Sequence, residues 1–222
     1  GNLEWDKSYS VGDTDDYERA VGLFVHDDGD IVIAGAIDHN YSPHDRWGTI
    51  RVNTHGDLEE TFQSNFESHE DTRSILRLPD GKFLMVGWGQ QTPDLRLARY
   101  HSDGTPDSSF GDSGSVSFPV MNSDDEGYRA TLQPDGKILV TGSSYNGSNW
   151  DIAVARLSYD GVLDTSFDSD GVLSVPFDGG TDDDGFSVLS LTDGRILVAG
   201  RTGSDIALLK LLGDSNQDPL AA

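Results

Sequence analysis

Cysteine is absent from the 222 residues, which removes disulfides, zinc–thiolate sites and thiol catalysis together. Basic side chains are scarce: 15 Lys and Arg stand against 39 Asp and Glu, a formal charge of −24. Phosphate binding needs a basic surface, so no nucleic-acid partner is expected. Long apolar runs are missing too. The longest that tolerates Gly is Ile31–Ile37, far short of the ~18 residues of a membrane helix, so no membrane insertion is expected. Catalytic motifs are equally thin. There is no G-x-S-x-G elbow and no H-E-x-x-H, and all six His precede residue 102, which excludes a His mechanism repeated along the chain. No carboxylate pair stands out among so many. A non-enzymatic chain is the expectation.

What is present is a four-fold repeat. Asp-Gly, an apolar run and a Gly recur as Asp28-Gly29…Gly35, Asp80-Gly81…Gly87, Asp135-Gly136…Gly142 and Asp193-Gly194…Gly200. A second run carries a basic residue in register: Arg51, Arg99, Arg156 and Lys210. A third block ends on an aromatic: Leu58–Phe62, Pro106–Phe110 and Leu163–Phe167. The fourth repeat lacks this block, but Trp5-Asp6-Lys7-Ser8-Tyr9 has its spacing and chemistry. Asp-Gly between apolar runs signals a tight hairpin, and four short strands repeated radially describe a propeller. The expected fold is all-β: a closed β-propeller of four blades, each of about four antiparallel strands, with the ring closed by the N-terminal strand. One domain is expected over 1–213, with repeats at about 10–62, 63–110, 111–167 and 168–213 plus 3–9. Residues 214–222 read as a linker tail to neighbouring domains. Leu58, Phe62, Phe66 and Ile75-Leu76 fit a helical stripe as well, although the repeat alignment makes Leu58–Phe62 a strand. Eight residues after Arg51, Arg99 and Arg156 come Glu59, Asp107 and Asp164. These predict cross-strand ion pairs, worth about 0–1 kcal/mol if exposed; across the closure Lys210 would pair with Asp6. The approach to the Asp-Gly and the length of the loop after the hairpin Gly both alternate, which predicts a pseudo-two-fold.

The run Leu132-Gln133-Pro134-Asp135-Gly136-Lys137-Ile138-Leu139-Val140-Thr141-Gly142 continues into Asp151–Leu157 and then Gly161–Phe167. This resembles the delta-60 repeat, a family of bacterial repeats. The resemblance spans about residues 3–213 and is weakest in the first repeat, where Asp30 stands in place of Lys. It implies a propeller-like fold and a large surface or secreted bacterial protein, and says little about ligand.

In a propeller, the loops between strands 2 and 3 share a face with the blade-to-blade connections. Tyr41, Trp47, Trp88, Gln90, Tyr145, Asn149, Trp150 and Arg201 fall there and are the expected ligand-binding residues. Aromatics among amides give apolar area and adaptable hydrogen bonds, which suits a glycan or a peptide. The connections are acidic each time. Asp15, Asp16, Glu70, Asp71, Asp124, Asp125, Asp182 and Asp183 are the expected metal ligands, and calcium suits irregular Asp-rich loops. The sequence thus points to a ligand-binding or adhesion module, calcium-stabilised, on a bacterial surface or outside the cell; a self-closed monomer is expected, with half of an eight-bladed ring formed by two chains as the alternative. A spacer propeller that binds nothing is the alternative, and a polysaccharide-acting enzyme comes third.

Overall fold

The computed structural model describes residues 4–9, 18–37, 46–63, 70–89, 94–121, 124–177 and 180–213. Each Asp-Gly closes a hairpin of the same form. Leu78 N–H donates to the Lys82 carbonyl and Gly81 N–H to the Leu78 carbonyl; the pattern recurs at His26/Asp30, Gln133/Lys137 and Leu191/Arg195. Asp is needed because its Oδ1 accepts the amide two residues on, as Asp80 does from Lys82 at 3.2 Å. Gly is needed because the next residue sits at positive φ, 87° at Gly81. All four turns are alike, so the predicted alternation reduces to His26 and Gln133 occupying the place of Leu78 and Leu191. The loops after the second strands cover 38–45, 90–94, 146–149 and 203–204, shortening along the chain instead of alternating. Among the described residues the strand bounds therefore show no pseudo-two-fold.

The β-branched and aliphatic runs on either side of each turn form four separate antiparallel sheets. Sheet 1 is β1 (Glu18–Val25), β2 (Ile31–Ile37), β3 (Arg46–Val52) and β4 (Leu58–Gln63). Sheet 2 is β5 (Glu70–Arg77), β6 (Phe83–Gly89), β7 (Leu95–Tyr100) and β8 (Ser115–Phe118). Sheet 3 is β9 (Asp125–Leu132), β10 (Ile138–Tyr145), β11 (Trp150–Leu157) and β12 (Val172–Val175). Sheet 4 is β13 (Asp183–Ser190), β14 (Ile196–Thr202) and β15 (Asp205–Leu211) and has three strands. Leu58–Phe62 is therefore strand, while the corresponding blocks in sheets 2 and 3 are turns whose Phe110 and Phe167 insert into the core.

Among the described residues the expected closed ring is not formed. Sheet 4 ends at β15, and residues 4–9 form no strand. Among the described residues those N-terminal residues sit on sheet 1. Trp5 lies on Gly56, where an added Cβ would come within 2.8 Å of its ring. Tyr9 donates its hydroxyl to the Gly56 carbonyl at 2.7 Å, and Lys7 reaches Asp57 at 3.3 Å. The aromatic block finds the same kind of seat that Phe62 has on Gly104 and Phe110 on Gly161. Seating the block does not require a strand to cross to sheet 4, and this is why the spacing match predicted a closure that the described residues do not show.

Successive sheets pack face to face. Val32, Ala34 and Trp47 meet Phe83, Met85 and Ala98; Leu84, Val86 and Leu97 meet Ile138 and Val140; Leu139, Ile152 and Val154 meet Val188, Ile196 and Val198. The predicted cross-strand pairs form beneath these layers. Arg99 Nε lies 2.7 Å from Asp107 and Arg156 Nε 2.7 Å from Asp164, but both guanidinium groups are 1 % exposed, so they are not the surface pairs that were expected. Lys82 and Lys137 join them at 2.9 and 3.0 Å. In sheet 1 Asp30 replaces that Lys, and Arg51 turns to Asp28 and Asp30 at 2.6 Å, with Glu59 at 3.7 Å.

Each innermost strand carries a β-bulge at the same place. Val21, Arg73, Tyr128 and Phe186 are the extra residues, left out of the ladder against β2, β6, β10 and β14. The cause is opposite: a Cβ on Gly35, Gly87, Gly142 or Gly200 would lie 1.7–2.0 Å from the carbonyl oxygen of Arg19, Asp71, Glu126 or Asp184. Only Gly leaves room for that carbonyl, and the tucked carbonyl re-aims the following side chains.

Candidate functional site

The bulges gather aromatic and charged groups at the N-terminal end of the inner strands. The Tyr128 ring sits between Trp88, at 6.3 Å and edge-on, and Phe186, at 5.5 Å and tilted. The Arg73 guanidinium lies 4.4 Å over the Trp88 ring and 5.9 Å from that of Tyr128. A row of guanidinium and three rings thus crosses from sheet 2 to sheet 4, and Phe186 at its end is 47 % exposed.

Carboxylates line the same row. The Tyr128 hydroxyl lies 2.8 Å from Glu126 Oε2 and 3.3 Å from Asp184 Oδ1, and it accepts from Ser143 Oγ at 3.0 Å. A phenol has one proton, so it can donate to only one of the two carboxyl groups at a time. Burial, together with the charges of Asp184 and Asp71, pushes the Glu126 carboxyl above its ordinary range, against the Tyr128 hydrogen bond and Arg73. Burial likewise pushes the Tyr128 phenol far up. Asp184 pairs with Arg201. Asp71 pairs with Arg19 and, at 3.3 Å, with Arg73. The site therefore alternates acceptors and donors along an aromatic floor.

Of the residues expected from sequence, Trp88 and Arg201 lie in this cluster, and Asp71 lies there as an arginine partner. Trp47 does not: it is wholly buried between sheets 1 and 2 with Phe24 and Phe83. Tyr145 and Trp150 lie against each other, tilted, with ring centroids 5.5 Å apart across the β10–β11 hairpin. Asn149 Nδ2 donates to the Thr181 carbonyl at 2.8 Å and Asp182 accepts from Trp150 N–H at 3.1 Å, so these two tie that hairpin to the approach to sheet 4. Asp125 and Asp183 are fully buried and accept backbone amides from Val120 and Phe177 at 2.8 and 2.9 Å. They anchor the connections. The Asp124 carbonyl receives Tyr145 N–H at 2.8 Å. Tyr41, Gln90, Asp15 and Asp16, and the side chain of Glu70, lie outside the described residues, as does the tail 214–222. Among the described residues no three His, Asp or Glu side chains gather as a metal site would require.

Arg73, Glu126, Tyr128, Ser143, Asp184 and Phe186 were not foreseen, although a signal existed. A charged residue stands sixteen positions before the hairpin Gly in every repeat (19/35, 71/87, 126/142, 184/200), and the bulged residue follows two positions later. The acidic runs drew attention to their first members, and the bulge turns the last members inward.

Segments 78–110, 133–167 and 191–220 match the model of a family described as a domain of unknown function (DUF5122) beta-propeller; the first repeat lies outside the match. No curated protein matches the chain. Among solved structures it is similar to a hypothetical protein from Leishmania major (12% identity, TM-score 0.42, 90% of this chain and 70% of that one). It is also similar to an endo-arabinase from Bacteroides thetaiotaomicron (11%, 0.44, 87% and 74%) and an α-L-arabinofuranosidase from Lactobacillus brevis (12%, 0.45, 89% and 68%). Likenesses this distant carry no activity across. Two of these similar structures are described as an endo-arabinase and an arabinofuranosidase, and the expectation of a non-enzymatic chain is not carried forward. The family match supports the coarser half of the sequence resemblance: three segments of this chain resemble the repeats of a β-propeller family.

Proposed function

We propose that the inner-strand end of this propeller domain recognises a glycan. One observation carries the reading: the row Trp88–Tyr128–Phe186, flanked by Glu126, Asp184, Asp71 and the guanidinium groups of Arg73 and Arg201. The apolar face of a sugar ring stacks on aromatics, while its hydroxyls both donate and accept. A row that offers carboxylates and guanidinium groups together meets both needs. A charged peptide would have to displace the internal Arg–Asp pairs. The setting we propose is a bacterial surface or secreted protein, on the strength of the delta-60 resemblance and the strongly acidic composition.

Titration calorimetry against a panel of neutral oligosaccharides tests this. A binder is expected whose affinity falls at least tenfold in Trp88→Ala with the melting temperature nearly unchanged, since Trp88 is only half-buried at the strand end. A panel without a binder, or a binder indifferent to Trp88→Ala, rejects the site.

A second reading is favoured by Glu126. A carboxyl whose charged form is disfavoured by burial, standing near a second carboxyl group, is the kind of pairing that cleaves glycosidic bonds, one group protonating the leaving oxygen while the other acts as base or nucleophile. In that reading Glu126→Gln keeps binding and abolishes release of reducing sugar. Under pure recognition, wild type releases none.

A further inference from the structure

Every interface between sheets joins the same two faces. The trailing face of one sheet (Val32 and Ala34; Leu84 and Val86; Leu139) meets the leading face of the next (Phe83 and Met85; Ile138 and Val140; Ile196 and Val198). Among the described residues one face of each kind is left over. On sheet 4 the trailing face holds Leu189 and Leu197, paired in register, with Leu208 opposite Ala199 and Ile206 opposite Arg201. Ile206 is 91 % exposed, Leu208 67 % and Leu189 58 %. On sheet 1 the leading face holds Leu23 and Val25, opposite Ile33 and Ile31, at 64 % and 51 % exposure. Among the described residues, the substantial contacts between sheets all join neighbours in sequence, so sheets 1 and 4 do not cover each other.

We propose that a second copy of the chain docks its sheet 1 on sheet 4, head to tail, continuing the stacking already made three times within one chain. The N-terminal block makes the second copy the fitting occupant. At the leading side of sheets 2 and 3 the outer seat, Gly104 or Gly161, is filled by Phe62 or Phe110 from the preceding sheet. Sheet 4 lacks that aromatic block. Sheet 1 arrives with Trp5 already on Gly56 and Tyr9 packed against the cluster of Ile50 and Val52, so the seat is filled in advance. The contact is apolar between two strongly acidic molecules, and it tightens as salt screens their repulsion. It is heterologous, giving a ring if it closes and a ladder if it does not. The proposal is independent of the glycan reading.

Sedimentation equilibrium at physiological salt tests it with wild type, Leu208→Lys and Leu23→Lys. Lysine lowers the net negative charge, so lost association cannot come from added repulsion, and both positions are exposed enough for unchanged melts to verify folding. Wild type is expected to form dimers or longer assemblies, and each variant to associate at least tenfold more weakly. An equimolar mixture of the two variants is expected to recover a heterodimer, because each retains the face the other has lost; Ile206→Lys should behave as Leu208→Lys does. A monomeric wild type, an unaffected Leu23→Lys, or a mixture that stays monomeric overturns the proposal.

Discussion

Gly142→Ala is expected to lower the melting temperature by roughly 6–12 °C, the shift that about 3 kcal/mol produces in a domain of this size. The added Cβ would stand 1.7 Å from the Glu126 carbonyl oxygen and 2.8 Å from its carbon. Both are backbone atoms of β9, so no rotamer change relieves the clash. The carbonyl must swing out, flattening the bulge and returning Tyr128 toward the ladder. Tyr128 would then leave its places between Trp88 and Phe186 and beside Glu126. The substitution should therefore change the near-ultraviolet dichroism of the aromatic row as well as the melt. Gly136→Ala is the control. Gly136 has φ of 87° and nothing within 4 Å of an added Cβ, so it is expected to cost only about 1 kcal/mol of backbone strain. Equal losses in the two variants would show that the close approach at Gly142 is unimportant and that any alanine replacing glycine suffices.

The same carbonyl explains how far the sequence could be read. Turns depend on local chemistry, so Asp-Gly with its flanking aliphatics fixed four hairpins and nearly all strand positions. The Arg99–Asp107 and Arg156–Asp164 pairs followed from spacing, because two strands joined by a short turn bring such positions together. Burial did not follow, since it depends on Phe110, Phe167 and the neighbouring sheet. The bulges were hidden for a different reason. A one-residue insertion flips every side chain beyond it to the other face, and strict alternation places Glu126, Tyr128 and Asp184 on the wrong side. The reason for the hairpin glycines likewise lies across the sheet, in a carbonyl sixteen residues earlier. The N-terminal block shows the limit of repeat arithmetic. Its match to Pro106–Phe110 was read as the strand that closes the ring, whereas the structure seats Trp5 on Gly56 of sheet 1. That seat carries no information on which sheet lies beyond it.

Asp107→Asn is expected to cost about 3–5 kcal/mol, the usual consequence of leaving one partner of a buried pair charged and alone. The site is more than a pair. Asp107 receives Arg99 Nε at 2.7 Å and Lys82 at 2.9 Å, and Ser109 donates to it through both its amide, at 3.1 Å, and its hydroxyl, at 2.6 Å. Arg99 also donates to the Tyr159 carbonyl and stacks 4.8 Å over Phe110. Burial alone would raise the Asp107 carboxyl, but the hydrogen bonds from Ser109, Lys82 and Arg99 outweigh it and hold the group far below the usual carboxylate range. Asp164 is lowered in the same way by Ser166, Lys137 and Arg156. A carboxylate with a depressed folded pKa stabilises the fold fully above its unfolded pKa of about 3.9, and loses that contribution as pH falls through the folded value. The gap in melting temperature between wild type and Asp107→Asn should therefore be widest near neutrality and narrow progressively below about pH 4. Comparing the two proteins at each pH cancels the relief of general repulsion that any chain this acidic feels on protonation. The double variant Arg99→Met/Asp107→Asn should recover part of the loss, since it removes the stranded guanidinium. A gap that stays constant down to strongly acidic pH would mean that Asp107 acts through packing, and the buried charge would then have no special part in holding sheet 2 against sheet 3.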